Sequence, residues 1–137
     1  MNHFGQIPSF VNTREFSCEA RSFLKNGYYT NSPPGTYAYR EYWDEQTRRC
    51  LEGFEVGGVR ITGPHYFYLN FIQIKATVKK GKLERKILTF PSFLDMDYYY
   101  FDECEKAREN GQGMIVAKAR RKGFSYKNGA LCVHQYN

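Results

Sequence analysis

Met114 to Leu131, MIVAKARRKGFSYKNGAL, is the stretch on which the fold turns. Met114 to Ala119 is a short apolar run of the buried-strand type, Arg120 to Ser125 is a glycine-containing loop, and Tyr126 to Tyr136 begins a helix. A buried strand, a loop whose N–H groups converge and a helix N-terminus together make an anion cradle. A nucleotide-binding cradle also needs a lysine for the phosphates and a Ser or Thr hydroxyl for Mg²⁺. Gly123 stands where the backbone must approach a phosphate, and Ser125 fits the metal position. The usual loop has lysine directly after that glycine, whereas here Phe124 occupies the place. By itself the stretch is also compatible with a basic loop on a solvated face.

Working upstream, Pro91 to Asp95 opens a helix that runs through Asp97, Tyr100, Phe101, Cys104 and Ala107 and closes at Asn110-Gly111, with Asp95 as its N-cap. Before it, Lys79 to Lys82 (KKGK) is a turn, and Lys82 to Phe90 pairs back on the preceding segment as a β-hairpin with a basic tip. That preceding stretch, Arg60 to Gly63 (RITG) and His65 to Val78 (HYFYLNFIQIKATV), is rich in aromatic and β-branched residues and is predicted to be strand. Gly57-Gly58 marks a turn. Tyr39, Trp43, Gln46 and Cys50 recur at helical spacing across residues 36–52, with Gly53 as the stop. Asn31 to Gly35 (NSPPG) is a breaker cluster, so residues 1–35 are expected to form an N-terminal arm ahead of a domain spanning 36–137. Helix, strand, glycine-containing loop and helix in that order open an α/β nucleotide-binding fold.

Composition sets outer bounds. The chain has 137 residues, 42% of them hydrophobic, which suits one globular domain. Twelve Tyr, eleven Phe and one Trp argue for a folded core and against disorder. Twenty Lys and Arg against fourteen Asp and Glu give a net charge of +6, which favours a polyanionic partner. Cys18, Cys50, Cys104 and Cys132 form no CxxC pair, and His3, His65 and His134 are scattered, so free and mostly buried thiols are expected in place of a zinc site. The first ten residues lack the pattern of a secretory leader, and no apolar run approaches the ~20 residues of a membrane span, so a soluble, intracellular protein is expected.

Lys118-Ala-Arg-Arg-Lys-Gly-Phe-Ser125 resembles the deviant phosphate loop of tailed-bacteriophage large terminase subunits, where the lysine sits at the start of the loop and an aromatic separates the Gly and Ser. The order of Ile61 to Ile74 (ITGPHYFYLNFIQI), Phe90 to Phe101 (FPSFLDMDYYYF) and then the loop is similar to the lead-in of terminase ATPase domains, over roughly residues 36–137. The resemblance implies the first part of a P-loop ATPase domain of the ASCE type, ending soon after the loop. It implies ATP and Mg²⁺ as cofactors, with Lys118, Arg120, Arg121, Lys122, Gly123, Phe124 and Ser125 around the phosphates and the Ser125 hydroxyl on Mg²⁺. Lys118 would supply the charge that Phe124 cannot, and Arg120 and Arg121 would contact phosphate or sense ATP. Double-stranded viral DNA, a portal protein, a small terminase subunit and further copies in a ring on the procapsid are the implied partners, and the host cytoplasm the implied location. A nuclease domain is implied further along such a protein, as is an apolar strand ending in Asp-Glu. Without that strand this chain is expected to bind nucleotide with negligible turnover.

Phe90 to Asp97 contains no Gln of the kind that reads adenine in such enzymes. Tyr98, Tyr99 and Tyr100 are core residues or a stacking platform for a base, and Lys79, Lys80 and Lys82 at the hairpin tip contact DNA backbone or form a solvated turn. Two other functions remain open on the sequence: a basic nucleic-acid-binding module without ATP chemistry, and another P-loop motor such as a helicase.

Overall fold

The computed structural model describes residues 12–114 and 124–136. Its chain order is a 3-10 helix (Thr13–Ser17), α1 (Cys18–Asn26), α2 (Tyr37–Glu52), β1 (Phe54–Val56), β2 (Val59–Ile61), α3 (Gly63–Phe71), β3 (Ile74–Lys80), β4 (Leu83–Thr89), α4 (Asp95–Glu109) and α5 (Phe124–Tyr136). The fold is mixed α and β, and the described strands form two separate two-stranded antiparallel sheets, β1 with β2 and β3 with β4. Among the described residues no helix is long and apolar enough to cross a membrane.

Local signals fix most boundaries. The Thr36 hydroxyl accepts from the Tyr39 N–H at 3.3 Å to start α2, which ends at Glu52 before Gly53, as the spacing predicts. Gly57 and Gly58 both have positive φ (58° and 83°), the requirement of the two-residue turn that pairs Val56 with Val59. β3 and β4 pair from Ile74↔Thr89 to Lys80↔Leu83 around Gly81-Lys82, the predicted hairpin.

Four expectations are corrected. His65 to Phe71 is helix, and only Ile74 onward is strand. The Thr62 hydroxyl accepts from the His65 N–H at 3.3 Å and Pro64 lies in the first turn, so the start of α3 is encoded just before the aromatic run. The run looks like a strand because α3 is buried on nearly every side: His65, Tyr66, Tyr68, Leu69 and Asn70 are all buried. Leu94, not Asp95, occupies the N-cap position of α4 and gives no side-chain cap; Asp95 is the first helical residue, where its charge complements the helix dipole. The cysteines are free, but Cys18 and Cys132 are exposed and Cys50 and Cys104 only half-buried. Helix α5 begins at Phe124, two residues before the predicted start.

The core is built around α3. Phe16, Ile61, Tyr66 and Leu69 form one cluster, and Tyr68, Phe101 and Ala130 a second. Residues 12–26, read from sequence as part of an arm, put Phe16 and Ala20 into the interior, and the Phe16 ring stacks on Phe93 at 5.3 Å. Asn70 joins this segment to α3: its amide donates to the Phe16 carbonyl at 2.8 Å and the Tyr66 carbonyl at 3.1 Å, and its Oδ1 accepts from the Ala20 N–H at 3.1 Å. Gly63 lies so close to α2 that an added Cβ would collide with the Cys50 carbonyl oxygen.

Candidate functional site

Lys118, Arg120, Arg121, Lys122 and Gly123 lie outside the described residues, as does Ile115 to Ala119, the greater part of the predicted buried strand. Phe124 and Ser125 are described by their backbone, which opens α5 immediately after Gly123. The part of the candidate site that can be built from the residues upward is therefore this helix and what holds it.

Three neighbours hold α5. Near its start, Lys127 Nζ lies 2.8 Å from Asp97 Oδ1 in the first turn of α4, with the two side chains only 7% and 4% exposed. The same ammonium lies 5.3 Å from the centre of the Tyr100 ring, whose hydroxyl donates to Asn128 Oδ1 at 2.6 Å. In mid-helix, Ala130 packs against Tyr68 of α3 and Phe101 of α4. Near its end, His134 Nε2 is 2.5 Å from the Cys50 carbonyl oxygen of α2. A helix fixed to three others presents its N-terminal N–H groups and dipole in one direction, the preorganisation that anion binding at a helix start exploits. Lys127 is the single lysine of α5, and its charge faces Asp97.

His65 sits on α3 beside this ion pair. Its ring is stacked between Phe93 (5.3 Å) and Phe101 (4.9 Å) and fully buried, and among the described residues neither ring nitrogen has a hydrogen-bond partner. Burial, with the Lys127 charge adding to it, lowers its pKa to about 3, so the ring is neutral at ordinary pH. Sequence reasoning misses both His65 and the Asp97–Lys127 pair. The partners are far apart along the chain, and a lone histidine in an aromatic run gives no local sign of what will enclose it.

Tyr98 packs on the first core cluster and Tyr100 on the second, so two of the three consecutive tyrosines serve the interior. Burial raises the pKa of both phenols. Burial also pushes the Cys50 thiol up to about 11, which keeps it protonated and unreactive. Among the described residues no three His, Cys, Asp or Glu side chains converge as a metal site. An apolar groove of about 340 Å³ runs between α2, α3 and α5, lined by Trp43, Leu51, Phe67, Phe71 and His134.

Lys79 and Lys80 end β3 and Lys82 lies in the turn after it. All three are exposed, and Lys79 Nζ lies 3.2 Å from Glu84 Oε1 across the ribbon. Of the two sets of expected cations, the described residues include only the one on the β3–β4 ribbon. No protein-family model matches this chain, and neither curated proteins nor solved structures give a significant match.

Proposed function

We propose that this chain supplies the phosphate-binding part of a viral large terminase subunit, an ATP-driven motor that moves double-stranded DNA into a procapsid. The observation that carries the reading is the start of α5 at Phe124: the stretch Lys118 to Gly123 leads directly into the first turn of a helix held by α2, α3 and α4. Ser125 falls in that first turn, the position from which a hydroxyl meets Mg²⁺ in a phosphate loop. A hydroxyl at a helix start suits Mg²⁺, a hard cation that keeps water and phosphate oxygens as most of its ligands. Bound Mg²⁺ would neutralise charge between the outer phosphates.

The roles follow from charge. Lys118 offsets the phosphate charge in place of the lysine displaced by Phe124. Arg120 and Arg121 offer planar, multi-donor contacts to phosphate oxygens. Lys122 is secondary, and Lys127 is excluded because Asp97 holds it. Within the full motor, ATP hydrolysis would drive DNA past a ring of such subunits seated on the portal protein, with a small terminase subunit as the further partner.

A fluorescent ATP analogue titrated into this chain with and without Mg²⁺ tests the reading. Lys118→Ala and Ser125→Ala should each weaken binding at least tenfold, the loss of one charge-assisted or metal contact, with the thermal midpoint unchanged. Lys122→Ala should retain most of the affinity. Unchanged binding by the Lys118 variant, or wild-type binding indifferent to Mg²⁺, would overturn the assignment. An absence of any nucleotide binding would favour the rival, a basic nucleic-acid module without ATP chemistry.

A further inference from the structure

The β3–β4 ribbon is the most strongly charged feature of the described structure. Every residue from Thr77 to Leu88 is exposed, so the outer part of the two strands stands clear of the helical body with both faces in solvent, while Ile74, Ala76 and Thr89 at its base are half-buried. Between Lys75 and Lys86 lie six cations, Lys75, Lys79, Lys80, Lys82, Arg85 and Lys86, against Glu84 alone. The ribbon therefore carries five of the six net positive charges of the chain. Only Lys79 of these cations has a carboxylate partner among the described residues.

The register sorts them. Cross-strand pairs share a face, so Lys75↔Leu88, Thr77↔Lys86 and Lys79↔Glu84 make one face, with Lys75 and Lys86 as its unpaired cations. Val78↔Arg85 and Lys80↔Leu83 belong to the opposite face, with Lys80 and Arg85 as its cations. Lys82 stands at the tip. A ribbon lying flat on one phosphate strand would gain from cations on one face only. Cations on both faces suit a ribbon lying in a groove with a phosphate wall on either side. The major groove of duplex DNA, about 12 Å wide, admits a two-stranded ribbon.

We infer that the β3–β4 ribbon is a sequence-tolerant duplex-DNA contact that enters the major groove and meets phosphates from both of its faces. The choice of duplex DNA rests on the packaging-motor reading; the charge and the two-faced geometry do not.

The test is fluorescence anisotropy of a labelled 20-base-pair duplex against this chain over a range of NaCl concentrations. Two double variants of equal charge are compared, Lys75→Gln with Lys86→Gln for one face and Lys80→Gln with Arg85→Gln for the other. Each should weaken binding at least tenfold near 0.1 M salt and flatten the log-log salt slope by about 1.8, the signature of two lost phosphate contacts. The ATP-analogue affinity should stay unchanged in both, so failure of the ribbon and failure of the phosphate loop read out separately. Loss confined to one variant would replace the groove with a flat contact and overturn the inference. So would an absence of duplex binding by the wild type, unchanged slopes in both variants, or equally tight binding to poly-glutamate, which would assign the ribbon to an acidic protein surface.

Discussion

His65 illustrates how much one residue depends on its enclosure. An imidazole between Phe93 and Phe101, with neither nitrogen hydrogen-bonded among the described residues, is a polar group held as if it were a third aromatic ring. Its pKa in the folded chain is about 3, against 6.5 when unfolded, so below pH 6.5 the unfolded state takes up a proton that the folded state refuses. Stability is then present in full above pH 6.5 and falls as the pH drops from there toward 3. The slope from this residue is up to about 1.4 kcal/mol per pH unit. His65→Phe keeps a flat ring in the stack and removes the titration. Urea unfolding of both proteins at pH 7, 5 and 4 should show the variant gaining on the wild type with each step down. A stability difference that stays constant with pH would mean that the ring is not held neutral.

Among the elements, α4 and α5 depend on each other through Asp97 and Lys127. A buried ion pair gives little net stability because desolvating both charges offsets their attraction, yet removing one partner leaves an uncompensated charge at a cost of about 3–5 kcal/mol. Asp97→Ala should therefore lower stability by that amount in denaturant melts. Asp97→Leu combined with Lys127→Leu should recover most of it, since two apolar side chains then fill the space. A double variant as unstable as the single one would show that packing, and not charge, dominates the junction. Helix α3 gives the complementary lesson. Its beginning was legible in Thr62 and Pro64, but the aromatic run after them invited a strand, because β propensity measures fit to a half-buried surface. This helix has almost no solvent side, so the usual polar stripe that betrays a helix is missing.

At the scale of the whole molecule, the small core depends on the segment before Thr36. Phe16→Ala should cost about 3–5 kcal/mol, a large part of the ~5–15 kcal/mol available to a domain, and should lower the thermal midpoint by roughly 10 °C or more. Tyr37→Ala, at a residue 80% exposed, should leave the midpoint nearly unchanged. Equal shifts in the two variants would place Phe16 outside the cooperative unit. The ends of α2, the Gly57-Gly58 turn, the β3–β4 hairpin and the charge on it were all readable from the sequence. Each is set by hydrogen bonds, φ angles or charges within a few residues, and those are properties of a short stretch of chain. The order of residues from Lys118 to Ser125 likewise suggested a phosphate loop without reference to anything distant. Tertiary structure alone decided that Asn70 would join α3 to Phe16 and Ala20, that Asp97 would neutralise Lys127, and that His65 would be closed between two phenylalanines. These contacts join residues dozens of positions apart, and burial, which gives them their strength, exists only once the helices have packed.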